Sequence, residues 1–452
     1  MASPYLHSVE CSYQPLGFAF HPTNDHLLAA GLVDGSLEVH DVRKGDDDDA
    51  DEDEHDSILS SIELHTQKLP QKDSKELKPA ACRSVIFSSD GTRIYTGGTA
   101  GDLCGIDAEM ACKFSASGHK KSILWQIDPA TEGEYNPLHT LYAFEKSPTI
   151  VSGDETGGVR VWDERMLGSA TTSTSAMKRP HGCVLSWNEN DDYISAIQAS
   201  KDENTLLATS ADGRLAVFDL RMARSGTNTH KKPYRLSDDL EDELLSLQIM
   251  KNGKKVVCGT QQGVLGIFSW GTWGDVSDRF PGHPHEISSL LKVDEDTLLT
   301  GSSDGLIRVV QIQPDKLLGV LGDDHGGFPI EKLAFNSNRH LVGSLSHDSY
   351  VRLWDGRLLD EEYEPEDDEK GEENATEAQL AQSSVARKRS APDNSDDEWE
   401  DEDDGDDDDN GDGNDSDDDS DESDDSDAKP PAKNQKRQAR LKTENEKFFD
   451  DL

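Results

Sequence analysis

The feature that most constrains this chain is an internal repeat. One pattern recurs: an apolar pair, small residues, an Asp-Gly-like turn, then an alternating run that often ends in an aromatic and Asp. The copies are LLAAGLVDGSLEVHDV (27–42), IYTGGTAGDLCGID (94–107), TIVSGDETGGVRVWDER (149–165), LLATSADGRLAVFDLR (206–221), VVCGTQQGVLGIFSW (256–270), LLTGSSDGLIRVVQI (298–312) and LVGSLSHDSYVRLWDGR (341–357). Their turns fall at Gly35, Gly101, Gly157, Gly213, Gly263, Gly305 and Ser349, at intervals of 66, 56, 56, 50, 42 and 44 residues. Each copy supplies two strands around a hairpin, and Gly at the turn permits the positive φ that tight hairpins need. A further alternating strand lies upstream, as in SVIFS (84–88), ISAIQA (194–199) and ISSLLKV (287–293), and a fourth strand follows the aromatic-Asp position. The longer intervals hold polar insertions, the acidic run 46–56 in the first and SATTSTSAMKRPHG (169–182) in the third. Insertions that lengthen a repeat without spoiling its pattern belong in surface loops.

Four short antiparallel strands per unit, repeated radially, predict a β-propeller. The shortest intervals match blades of roughly 40–45 residues, and the body from about residue 5 to 357 resembles the WD-repeat proteins. The expected fold class is therefore all-β, a seven-bladed WD-repeat β-propeller with a disordered acidic C-terminal tail. The expected organisation is a propeller over 1–357 with an acidic loop insertion at about 44–79, a disordered acidic tail over 358–428, and a basic C-terminal segment over 429–452 ending in FFDDL. After Trp354-Asp355 the chain turns acidic, so the seventh blade lacks a fourth strand. Tyr5–Ser12, unassigned to any copy, is expected to supply it and remove an exposed sheet edge.

Charge separates body from tail. Acidic residues number 92 and basic residues 45, a net of −47. Residues 46–56 hold 9 acids and no Lys or Arg, and residues 360–428 hold 34 acids against 4 bases. The tail is too poor in apolar residues to bury a core. It repels phosphates, so it is not expected to bind nucleic acid directly. No apolar run approaches the length of a membrane span, and the start MASPYLHSVECS has no charged segment followed by an apolar one, so neither a membrane partner nor export is expected. The six cysteines (Cys11, Cys82, Cys104, Cys112, Cys183, Cys258) form no CxxC pair and read as reduced, mostly buried thiols. No cofactor or metal is expected, and the acidic run 46–56 lacks the spaced ligands of a calcium loop.

Several motifs resemble chemistry. The last repeat offers His325, Ser346, Asp348 and Trp354, an apparent nucleophile set. Its degraded recurrence instead marks a structural hydrogen-bond network of WD blades, since a catalytic set has no reason to repeat. Blade six keeps His283, Ser302 and Asp304 with Val310 in place of Trp, and blade three keeps His119 and Trp162 with Asp154 and Thr156 between. Blades two and five read as weakest, with Gly98/Ala100 and Thr260/Gln262 at those positions. Without a phosphate loop or a metal-spaced cluster, no enzyme is expected.

Binding is the expected activity. Asp-x-Arg endings occur at Asp41/Arg43, Asp163/Arg165, Asp219/Arg221 and Asp355/Arg357. They resemble the WDxR box by which some WD-repeat proteins dock on the damaged-DNA-binding adaptor of cullin ubiquitin ligases, with Arg165 and Arg357 as docking residues and Arg221 as a further candidate. An Arg paired with its neighbouring Asp is the plainer reading. Trp270 and Trp273 are candidate contact aromatics if exposed. Two basic clusters, Arg387-Lys388-Arg389 and the segment with Lys436, Arg437 and Arg440, read as nuclear import signals. Ser395 and Ser416, each with an acid three residues on, resemble acid-directed kinase sites.

The stretches ACRSVIFSSDG (81–91), IVSGDETGGVRVWDER (150–165), KKVVCGTQQGVLGIFSWGTWGDVSDRF (254–280), LLTGSSDGLIRVVQIQPDKLLGVLGDDH (298–325) and the FFDDL ending are together similar to the WD repeat-containing protein 55 family, called Jip5 in fungi. The resemblance implies a nuclear, nucleolar protein involved in ribosomal RNA production and ribosome assembly. It would be a monomeric scaffold whose partners are ribosome assembly factors or pre-ribosomal particles. Two alternatives stand beside it: a substrate receptor docking on the cullin ligase adaptor, and a chaperone whose acidic tail holds basic proteins.

Overall fold

A computed structural model describes residues 4–45, 58–68, 77–113, 122–127, 136–167, 182–221, 234–322 and 325–359. Within them lie seven four-stranded antiparallel sheets and a two-stranded ribbon, Thr66–Lys68 with Leu77–Pro79. Blade one runs outward through Pro15–Phe20, Leu27–Leu32, Ser36–Asp41 and Ile58–Glu63. Blades two to six repeat this order, with first strands Cys82–Phe87, Leu138–Ala143, Ile194–Ala199, Leu244–Met250 and Ile287–Lys292. Blade seven takes Lys332–Phe335, Leu341–Leu345 and Tyr350–Asp355 from one end of this stretch and Tyr5–Glu10 from the other. The first strands follow one another around the ring, and blade seven packs back on blade one. The chain forms a seven-bladed β-propeller.

The second strand explains why a propeller and not a single sheet results. In six blades it is buried at every position after the first, from Leu27–Leu32 to Thr297–Ser302. A strand covered on both faces reads as continuous apolar or small residues, not as an alternation. The cover is supplied by neighbouring blades. Seven apolar clusters fill the blade boundaries, one each; the cluster between blades six and seven joins Leu299, Ile307 and Leu321 to Ile330, Val342 and Trp354. Six hairpin turns place Gly in the left-handed region, with φ of 88° at Gly35 and 82° at Gly263. At Gly35, Gly101, Gly157 and Gly263 a Cβ would also strike a loop carbonyl, His283 O at 2.5 Å in the case of Gly263.

Closure joins distant ends of the sequence. Tyr5–Glu10 pairs antiparallel with Tyr350–Asp355, Val9 facing Val351 and Tyr5 facing Trp354. The strand stops at Glu10, short of Ser12, and Cys11 N donates to Ser349 O at 2.9 Å to cap the seventh hairpin. After Asp355 the chain leaves through the short helical turn Gly356–Leu359.

Adjacent first strands are stitched by side chains. Ser195 Oγ donates to Leu244 O at 2.6 Å, Ser246 Oγ donates to Ile287 O at 2.8 Å, and Ser289 Oγ accepts from Leu333 N at 2.9 Å. Each of these bonds satisfies a buried backbone group that no neighbouring strand can pair.

Candidate functional site

The blades' polar network is the first candidate, and its register differs from the sequence expectation. In blade seven the hydroxyl at the centre is Ser344, not Ser346. Trp354 Nε1 donates to Ser344 Oγ at 2.7 Å, and His325 Nε2 bonds the same oxygen at 2.6 Å. Ser346 lies two residues on, past the end of the strand, and its buried Oγ has no hydrogen-bond partner. Asp348 does not reach His325 directly: Arg352 bridges them, donating to Asp348 Oδ2 at 2.5 Å and lying 3.1 Å from His325 Nδ1. Blade six repeats the correction. His283 Nε2 bonds Thr300 Oγ1 at 2.8 Å, not Ser302, while Asp304 pairs with Arg308 at 2.5 Å. In blade three Trp162 Nε1 donates to Ser152 Oγ at 2.9 Å, and Asp154 accepts from Arg160 at 2.7 Å. His119 lies outside the described residues.

Two errors have one cause. Side chains two apart on a strand share a face, so a two-residue slip preserves the pattern while exchanging the partners. The arginines were visible in the sequence as VRVWD, LIRVV and VRLWD, each two residues before the aromatic position. Blade two, expected to be among the weakest, still holds a His–Asp–Thr set, with Cys104 and Ile106 at the Arg and aromatic positions: His65 Nδ1 lies 2.7 Å from Asp102 Oδ2, and Nε2 lies 3.0 Å from Thr96 Oγ1. Its histidine was hidden behind the acidic insertion, in the IELHT segment.

The arrangement is that of a structural network. Every hydroxyl in it is committed to Trp or His inside the wall of a blade. Burial, assisted by Arg352 and Arg308, lowers His325 and His283 to about 4, so both stay neutral at ordinary pH. His65 goes the other way: against its burial, Cys82 and the hydrogen-bonded Asp102 hold it up at about 10.

The Asp-x-Arg endings are self-paired forks. Arg165 donates Nε and Nη2 to the two oxygens of Asp163 at 3.0 and 2.6 Å; Arg43, Arg221 and Arg357 do the same to Asp41, Asp219 and Asp355. Trp273 is buried and Trp270 half-buried, their rings T-shaped at 5.1 Å against the boundary of blades four and five, so packing accounts for both. Arg387, Lys388, Arg389, Lys436, Arg437, Arg440, Ser395, Ser416, the acidic run 46–56 and residues 360–452 lie outside the described residues.

The opposite face, where the first strands begin, gathers carboxylates that sequence reading passed over because they come from separate loops. Asp192, Asp242, Glu243 and Glu286 come within reach of one another's charge, and Glu286 lines the central channel. A cavity of about 410 Å³ opens there, lined in part by Arg83, His139, Tyr193, Glu286, Glu331 and Lys332. Burial and the charges of Asp192, Asp242 and Glu286 raise Glu243, and burial with Glu331 raises Glu286. Arg83 is neutralised by Glu155 at 3.0 Å. Within the cavity lining Glu286 and Glu331 face Arg83 and Lys332, so the excess of carboxylates is carried by Asp192, Asp242 and Glu243, outside that lining. Among the described residues no helix is long and apolar enough to cross a membrane.

Comparison with known proteins gives a consistent answer. The family model WDR55 matches residues 6–359. The chain is 33% identical over 347 residues to WD repeat-containing protein 55 of Arabidopsis thaliana, covering 76% of this chain and 81% of that protein. It is 31% identical over 340 residues to the Rattus norvegicus protein of the same name, 75% and 73% covered. It is 34% identical over 312 residues to WD repeat-containing protein JIP5 of Coprinopsis cinerea, 65% and 66% covered. A propeller over the matched span, with these relatives, makes the chain a member of the WDR55 family of WD-repeat scaffolds.

Proposed function

We propose that this protein is a non-catalytic scaffold in nucleolar ribosome assembly, serving ribosomal RNA production and processing, and that its acidic channel mouth receives basic assembly proteins. The observation that supports this reading is the grouping of Asp192, Asp242, Glu243 and Glu286 within reach of one another's charge, where burial and then those like charges raise Glu243, and burial and then Glu331 raise Glu286. A basic partner relieves that repulsion, and opposite charge speeds its encounter. The test is affinity purification of the full chain from nuclear extract, beside a Glu243→Lys/Glu286→Lys variant. Pre-ribosomal RNA and basic assembly factors should co-purify with the parent, dissociate as salt rises, and be lost from the variant. Exclusion from nucleoli, with no ribosomal RNA recovered, would overturn the reading.

A second reading is supported by the arginine forks. Arg165 and Arg221 are 75% and 67% exposed yet held in a fixed plane by Asp163 and Asp219. Such prepaid orientation suits docking on a ligase adaptor. Pull-down of the adaptor with Arg165→Ala and Arg357→Ala decides it, and an adaptor that never binds the parent removes it.

A further inference from the structure

Blade one breaks the network pattern. At the register position where blades three, six and seven carry Arg160, Arg308 and Arg352, blade one carries Glu38; at the aromatic position it carries His40. The loop that elsewhere contributes histidine contributes Cys11. All three side chains are buried, Glu38 being 1% exposed. Their ligand atoms lie within 4.8 Å of one another, with His40 Nε2 3.3 Å from Glu38 Oε2 and 3.9 Å from Cys11 Sγ.

We propose that Cys11, Glu38 and His40 bind Zn²⁺, which fastens the closing strand of blade seven to blade one. Bonds of about 2.0–2.3 Å around a tetrahedral ion set ligand atoms about 3.3–3.7 Å apart, close to the spacing found. A charge-assisted hydrogen bond is shorter, about 2.7–2.9 Å. That contrast separates this trio from the other buried group of like donors, His65, Asp102 and Cys104, where the 2.7 Å His65–Asp102 contact is a hydrogen bond and too close for two ligands of one ion. Thiolate, imidazole and carboxylate together suit zinc better than magnesium or calcium. Binding displaces the Cys11 thiol proton, so affinity falls as pH falls. Cys11 follows directly on Tyr5–Glu10, so the ion bridges the seam where the ring closes.

The test uses the full chain, dialysed against a chelator and then titrated with Zn²⁺, Co²⁺ or Mg²⁺. Zn²⁺ should raise the melting temperature where Mg²⁺ does not, and Co²⁺ should give a thiolate charge-transfer band at one equivalent. All six cysteines lie between residues 11 and 258, so the tail carboxylates cannot produce that band. Cys11→Ser should abolish it and weaken zinc at least about tenfold, while Cys104→Ser retains it. Absence of the band in the parent, or its persistence in Cys11→Ser, overturns the proposal, because the trio is then a hydrogen-bonded cluster only.

Discussion

Trp354 hangs its indole N–H on Ser344 Oγ at 2.7 Å, and His325 reaches the same oxygen from the loop between blades six and seven. One hydroxyl thus ties two strands and a loop inside a dry wall. Replacing it by Ala leaves the Trp donor and the His nitrogen buried without partners. Ser344→Ala should cost about 1–3 kcal/mol. Ser346→Ala should be neutral or slightly stabilising, because it removes a buried oxygen that already lacks a partner. Chemical denaturation of the two variants checks the register: equal losses would refute it.

The fold was legible because turn chemistry and burial both repeat. Gly35 and Gly263 mark hairpins by a requirement no other residue meets cheaply, and the second strands advertise double-sided cover by their apolar runs. The network was less legible. Ser344 and Ser346 are two apart where a strand ends, a spacing that would put both on one face if the strand ran on, so sequence spacing cannot choose between them, whereas a hydrogen bond can. The channel-mouth carboxylates escaped notice for a different reason. Asp192, Glu243 and Glu286 are ordinary loop acids until the fold brings them within reach of one another's charge.

Closure carries its own expectation. Tyr5 packs edge-on against Trp354 at 5.6 Å, and Val9 is buried between blades seven and one. Deleting residues 1–9 uncovers the Tyr350–Asp355 edge, a template for pairing between molecules. The truncated chain should melt at lower temperature and aggregate on light scattering, and a peptide spanning residues 4–10 should restore part of the loss. A truncated chain that melts like the parent would show the strand to be dispensable.

Acid sensitivity follows from the buried imidazoles. His283 and His325 are held near 4 by burial and by Arg308 and Arg352, against about 6.5 unfolded. Below 6.5 the unfolded chain binds protons that the folded chain refuses, so stability is lost as pH falls from about 6.5 through about 4. Each site accounts for roughly 3 kcal/mol over that window. His65 behaves oppositely: raised to about 10, its contribution is full below about 6.5 and lost as pH rises through about 10. Urea midpoints measured from pH 4 to 10 should therefore pass through a maximum. His325→Gln should flatten only the acid limb, and an unchanged acid limb would refute the assignment.

The serine stitches set how the blades share load. Ser195, Ser246 and Ser289 each satisfy a backbone group on the next blade's first strand, at three successive boundaries. Because the three bonds share no partner, their losses should add. Ser→Ala at one site should cost about 1 kcal/mol, and the triple variant about 3 kcal/mol. The added hydroxyl matters beyond its bond at Ser246. A Cβ on Gly259 would meet Ser246 Oγ at 2.3 Å, so Gly259→Ala should disrupt the same stitch. In the Ser246→Ala background the Gly259→Ala penalty should shrink but not vanish, since Ile287 O at 2.6 Å still blocks the methyl. A double-mutant cycle with zero coupling would show that the hydroxyl and the glycine are not matched to each other.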